Sequence, residues 1–130
     1  EIVVVSDSPE KKGRIIHVNS LNRNESIFDI APEALYELQP IIQNSGTILW
    51  NGPIGFFEKE NFARGTLMIA DMIVSSKSFS VLGGGDTIAA AEKAGVIDKI
   101  DYVSTAGGAF LEFMEGKKLP AVEALMDKFN

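Results

Sequence analysis

From Gly46 onward one unit recurs: a short apolar run, a glycine cluster, and then a stretch with helical spacing. Thr47-Ile48-Leu49-Trp50 leads into Asn51-Gly52-Pro53-Ile54-Gly55 and a periodic segment over about residues 63–77. Phe79-Ser80-Val81-Leu82 leads into Gly83-Gly84-Gly85 and a predicted helix over 86–94. Tyr102-Val103-Ser104 leads into Gly107-Gly108 and a predicted helix ending near Glu115. Gly116 then caps that helix, and Pro120 opens a last amphipathic one through Met126. Parallel strands need long crossovers, so strands alternating with helices predict a parallel sheet with helices on its faces. The expected fold class is α/β: a doubly wound, Rossmann-like, three-layer α/β/α sheet. In such sheets ligands bind at the carboxyl ends of the strands, where all three glycine clusters fall.

The first third of the chain reads differently. Residues 2–6 and 14–18 have the β-branched content of two strands joined by a polar turn, an N-terminal β-ribbon. Residues 19–26 are polar and turn-rich. After Pro32, residues Ala34, Leu35, Leu38, Ile41 and Ile42 have helical spacing, with Pro40 set to kink or shorten that helix. The opening Glu1-Ile2-Val3-Val4-Val5 enters a strand with no initiator methionine, so the chain reads as a piece of a longer protein and its domain as incomplete.

Charge narrows the partners. Twelve Lys and Arg stand against eighteen Asp and Glu, a net charge of −6, with no basic block. That argues against nonspecific binding to nucleic acid or to a membrane surface. The absence of cysteine excludes disulfides, a thiolate zinc site and a cysteine nucleophile. No apolar run is long enough to span a bilayer, and the expected setting is soluble and cytoplasmic.

Each glycine cluster suits a phosphorylated ligand. In Gly83-Gly84-Gly85-Asp86-Thr87 the glycines let main chain approach a phosphate, and the helix start adds free N–H groups and partial positive charge. The run is not a P-loop, since no Gly-Lys-Ser/Thr follows, and the third glycine of a dinucleotide fingerprint would fall at Ile88. Asp86 has two readings, a helix N-cap or a magnesium ligand lying between carboxylate and polyphosphate. Gly107 and Gly108 offer consecutive N–H groups to a phosphoryl group in transfer, or else form a tight turn. In Trp50-Asn51-Gly52-Pro53-Ile54-Gly55-Phe56-Phe57-Glu58, Phe56 suits a base and Glu58 ribose hydroxyls, while Phe57 is expected in the core.

Cations are scarce around these loops. Arg14, Arg23 and Arg64 lie outside them, Lys117 and Lys118 sit at a helix end, and the single histidine, His17, falls in a predicted strand with an expected structural or surface role. Phosphoryl transfer needs positive charge on the moving phosphate, so that half of a site is expected from other chain.

Taken together, the blocks from Trp50 to Glu58, from Gly83 to Thr87, and Ser104-Thr105-Ala106-Gly107-Gly108-Ala109 with Leu111-Glu112 and Glu115-Gly116-Lys117-Lys118-Leu119-Pro120 resemble phosphoglycerate kinase, most of all its bacterial branch. The likeness runs in the family's order and spacing from about Ile2 to the last helix. It implies the later part of a C-terminal, nucleotide-binding domain, with the N-terminal domain for 3-phosphoglycerate or 1,3-bisphosphoglycerate absent. It implies a glycolytic, monomeric kinase using Mg2+ and ATP or ADP. Carried over by motif, Glu58 meets the ribose, Asp86 the magnesium and Thr87 the nucleotide phosphates. Gly83, Gly84 and Gly85 line the phosphate channel, and Gly107 and Gly108 meet the transferred group. Asn51, Pro53 and Phe56 shape the nucleoside wall.

The chain departs from the family pattern in Phe28-Asp29-Ile30-Ala31, where leucine and a final glycine are usual, at Phe56 for valine, and at Ala106 for glycine. Such a piece alone is expected to be inactive. The competing expectation from another class is a non-catalytic nucleotide-binding or folding module.

Overall fold

The computed structural model describes residues 2–128. Strands β1 (Ile2–Ser6), β2 (Arg14–His17) and β3 (Ser26–Ile30) form an antiparallel sheet in the order β2-β1-β3. The expected ribbon is therefore three-stranded. Strand β3 escapes the sequence pattern because its polarity is inverted: Asp29 is buried and Ile27 is exposed, with a register shift opposite Val4 and Val5. Val3, Val5 and Ile16 make the small core of this sheet.

The segment after Pro32 is two helices, α1 (Pro32–Leu35) and α2 (Gln39–Gln43). Pro40 has no N–H to donate and its ring collides with the carbonyl four residues back, so it ends one helix and sits in the first turn of the next. Helix α1 joins the two halves: it packs on β1 and on the long helix described next.

The parallel sheet is as the rhythm predicts. Strands β4 (Thr47–Asn51), β5 (Phe79–Gly83) and β6 (Tyr102–Ser104) lie in sequence order. Their crossovers are α3 (Arg64–Ser75) and α4 (Gly85–Lys93), which pack against each other; α5 (Gly108–Met114) and α6 (Pro120–Met126) follow. The main core lies under α3 and α4, where Trp50 and Leu82 from the sheet meet Ile69, Ala70, Ile73, Ala90 and Ala91 from the helices. On the opposite face Leu49, Phe79 and Tyr102 remain exposed. There Phe110 of α5 covers Gly83, whose own Cβ would lie 2.9 Å from that ring. No helix among the described residues is long and apolar enough to cross a membrane.

Candidate functional site

Strand register decides whether the three glycine loops meet. Asn51 pairs with Gly83, and Gly83 pairs with Ser104, so all three strands end level and their loops leave side by side. Contact between the loops is direct. The Asn51 carboxamide oxygen would lie 3.1 Å from a Cβ on Gly83 and 3.3 Å from one on Gly84, and a Cβ on Gly107 would lie 3.6 Å from the Gly84 Cα. The Gly84 N–H also donates to the Ser104 carbonyl at 3.3 Å. Gly84 has φ +93°, left-handed backbone that favours glycine, while ordinary negative φ at Ala106 accommodates its methyl group.

Loop 51–58 is braced from several sides. Buried Thr66 of α3 accepts the N–H groups of Ile54 and Gly55 at 3.2 and 3.1 Å. Buried Thr87 of α4 accepts from the Gly52 N–H and donates to the Gly83 carbonyl, both at 2.7 Å, and so ties the first loop to the second. The Phe56 N–H donates to the Phe28 carbonyl of β3 at 2.8 Å, and the Trp50 indole N–H donates to the Gly52 carbonyl at 2.9 Å. Lys93 donates to the Phe57 carbonyl. Phe57 is buried in the main core, as the sequence suggests, whereas Phe56 and Glu58 are exposed at the rim. The two aromatic departures from the family pattern answer each other: the rings of Phe28 and Phe56 stack at 6.2 Å, and Phe28 stacks on Phe62 at 4.8 Å.

The structure sets aside the cap reading of Asp86. The N-cap of α4 is Gly84, with no side-chain cap, and Asp86 lies exposed within the first helical turn. Its carboxylate is thus available above the glycine loop. No cluster of three His, Cys, Asp or Glu forms a closed metal cage among the described residues. A single carboxylate matches Mg2+, which takes one or two protein oxygens and fills its octahedron with water and phosphate. Gly107 is the N-cap of α5 and Gly108 its first residue, so their N–H groups precede the first hydrogen-bonded turn.

The structure holds the cations singled out above at acidic partners or on other elements. Arg14 makes a paired contact with Glu25 at 2.8 and 2.7 Å, which raises the guanidinium and lowers the carboxyl from their ordinary values. Lys117 pairs with Glu115 at 2.5 Å and Lys118 with Glu123 at 2.8 Å. His17 lies exposed in β2, its Nδ1 accepting the Asn19 N–H at 3.3 Å. Sequence reading missed Thr66, Lys93 and Asp29 as parts of the site's frame. Only Thr66 left a trace, as a polar residue on the buried stripe of α3 with Ile69, Ala70 and Ile73.

Comparison with known proteins agrees with this geometry. A family model described as phosphoglycerate kinase matches residues 1–117. The phosphoglycerate kinase of Coxiella burnetii superposes with a TM-score of 0.88 at 45% identity, covering 98% of this chain and 33% of that one. That of Pyrococcus horikoshii OT3 superposes at 0.80 with 37% identity, covering 96% of this chain and 31% of that one. The chain therefore spans about a third of these relatives. It belongs to the phosphoglycerate kinase family.

Proposed function

We propose that this chain is the later part of the nucleotide-binding, C-terminal domain of a glycolytic phosphoglycerate kinase, and that its three level loops hold Mg-ADP or Mg-ATP. The observation that carries the reading is the register Asn51–Gly83–Ser104, which sets three glycine loops in mutual contact at the carboxyl edge of a parallel sheet. Phe56 and Pro53 with Asn51 form the wall for the nucleoside, and Glu58 accepts from ribose hydroxyls. Main chain at Gly83, Gly84 and Gly85 and the start of α4 at Thr87 face the phosphates, where helix N–H groups favour negative charge. Asp86 holds Mg2+, which when bound offsets the charge of the phosphate oxygens.

In the forward direction a terminal phosphate oxygen of ADP attacks the acyl phosphorus of 1,3-bisphosphoglycerate. The phosphorus–oxygen bond to the acyl group breaks, leaving the carboxylate of 3-phosphoglycerate and forming ATP. Gly107 and Gly108 donate N–H bonds to the phosphoryl oxygens in passage. The cations for the acyl substrate come from the N-terminal domain, so the chain alone transfers no phosphate. The parent enzyme is a cytoplasmic monomer.

Calorimetric titration with ADP, with and without Mg2+, tests the nucleotide reading. Magnesium should strengthen binding, and Asp86→Ala should remove that dependence while leaving the fold intact. Failure to bind ADP in either condition, or an unchanged magnesium dependence in the variant, would defeat it. Appreciable turnover by the chain in a coupled assay would refute the division of labour.

A further inference from the structure

Asp29 is a carboxylate buried where none is expected. It lies on β3, only 2% exposed, and among the described residues no lysine or arginine forms a salt bridge with it. Its partners are two main-chain N–H groups: Gly65 at 2.8 Å, in the first turn of α3, and Ile30 at 2.9 Å. Burial raises its pKa above the ordinary carboxylate value, and the two N–H groups oppose that rise. The same carboxylate closes on the glycine loop. A Cβ on Gly55 would lie 2.2 Å from its Oδ1, and one on Gly65 2.3 Å away, so both residues are glycine where main chain presses on Asp29. Next to it the Phe28 carbonyl receives the Phe56 N–H. Strand β3 thus meets the amino end of α3 and the middle of loop 51–58 through one charged group.

We propose that Asp29 is a positioning residue: by fixing the start of α3, and with it Thr66, it sets the shape of loop 51–58 and hence the nucleoside end of the site, without touching the ligand. The effect on the loop stands on the geometry alone; the effect on ligand rests on the nucleotide reading above. A carboxylate accepting N–H bonds at a helix start is worth more than a neutral contact, so losing it should loosen the loop measurably.

The test compares Asp29→Ala and Asp29→Asn with the unaltered chain. In Asp29→Ala, amide hydrogen exchange at Ile54, Gly55 and Phe56 should rise roughly tenfold or more, while Ser80, Val81 and Leu82 in β5 stay protected. Trp50 fluorescence should shift toward that of a solvated indole. Asp29→Asn keeps the shape and one acceptor oxygen, so it should show the same loop-confined change at a smaller, roughly threefold, level. Affinity for Mg-ADP should fall about tenfold in Asp29→Ala, while affinity for magnesium pyrophosphate, which needs only the phosphate loops, should not change. Unchanged loop exchange, or an equal rise across the whole parallel sheet, overturns the proposal. If Asp29→Ala does not fold, Asp29→Asn decides it: a loop-confined rise supports the positioning role and uniform protection ends it. Failure of the unaltered chain to bind ADP counts against the nucleotide reading, and the exchange result still decides the role of Asp29.

Discussion

Loops 51–58 and 104–108 flank the same strand and touch the same glycines, yet they are held in opposite ways. The first is gripped by Thr66, Thr87, Lys93 and the Phe28 carbonyl, groups from three different elements. The second has the Gly84 N–H on Ser104 and a 3.3 Å bond from the Ser104 hydroxyl to Ala106, and its Thr105, Ala106 and Gly108 are exposed. A rigid ligand part is best met by a wall already in place, since ordering a loop on binding costs entropy. A group that changes geometry during transfer is better met by uncommitted N–H donors. The contrast fits the function proposed above, with the nucleoside at the braced loop and the moving phosphoryl group at the bare one.

The largest effect should come from undoing the brace. Thr66→Val keeps the shape but leaves the Ile54 and Gly55 N–H groups without an acceptor, and should cost about 3 kcal/mol in a urea melt. A loss below about 1 kcal/mol would mean the loop is not held by this residue.

At the bare loop the expected damage is kinetic. Gly108 is the first residue of α5, and nothing lies within 4 Å of a Cβ placed there. Proline is well suited to that position, so Gly108→Pro in the complete enzyme should keep its melting temperature. Deleting one donor should lower turnover about a hundredfold with little change in the Michaelis constant for ATP. Normal turnover in a folded variant would make the turn structural and erase the functional half of the contrast.

Asp86→Ala should barely move stability, by about 0.5 kcal/mol, because the residue meets the helix dipole without capping it. A loss of 1 kcal/mol or more, about that of a missing cap, would reverse this assignment.

The smallest effects lie in the pH dependence of two carboxylates behind the loops. Asp29 has its pKa raised by burial, so the stability linked to its protonation, apart from its N–H bonds, is full below its ordinary value of 3.8 and is lost as pH rises through the higher folded value. Asp101 has its pKa lowered, first by the Ser80 N–H and then by the Ser80 hydroxyl, both at 2.7 Å. Its contribution is present above 3.8 and is lost as pH falls through the lower folded value. Melts across acid pH should therefore show Asp29→Asn flattening the curve above 3.8 and Asp101→Asn flattening it below. Two variants with the same pH profile would contradict the opposed environments.

The parallel half was legible because its information is local. Strands β4, β5 and β6 are apolar runs bounded by glycine, and the helices between them carry their own periodicity, so pattern alone gives their order. The same locality placed Phe57 in the core and made Pro40 a break. What tertiary structure alone decided depends on groups distant in sequence. Strand β3 buries an aspartate and exposes an isoleucine, so alternation could not find it; it exists because β1 pairs with it and α3 supplies an N–H to Asp29. Asp86 read as a possible cap until the backbone gave that place to Gly84. Thr66, Thr87 and Lys93 carry no motif for loop 51–58, since a hydroxyl or ammonium becomes a brace only where folding brings main-chain groups within reach. Periodicity records which side of an element is dry, and nothing in it records which distant amide will need an acceptor.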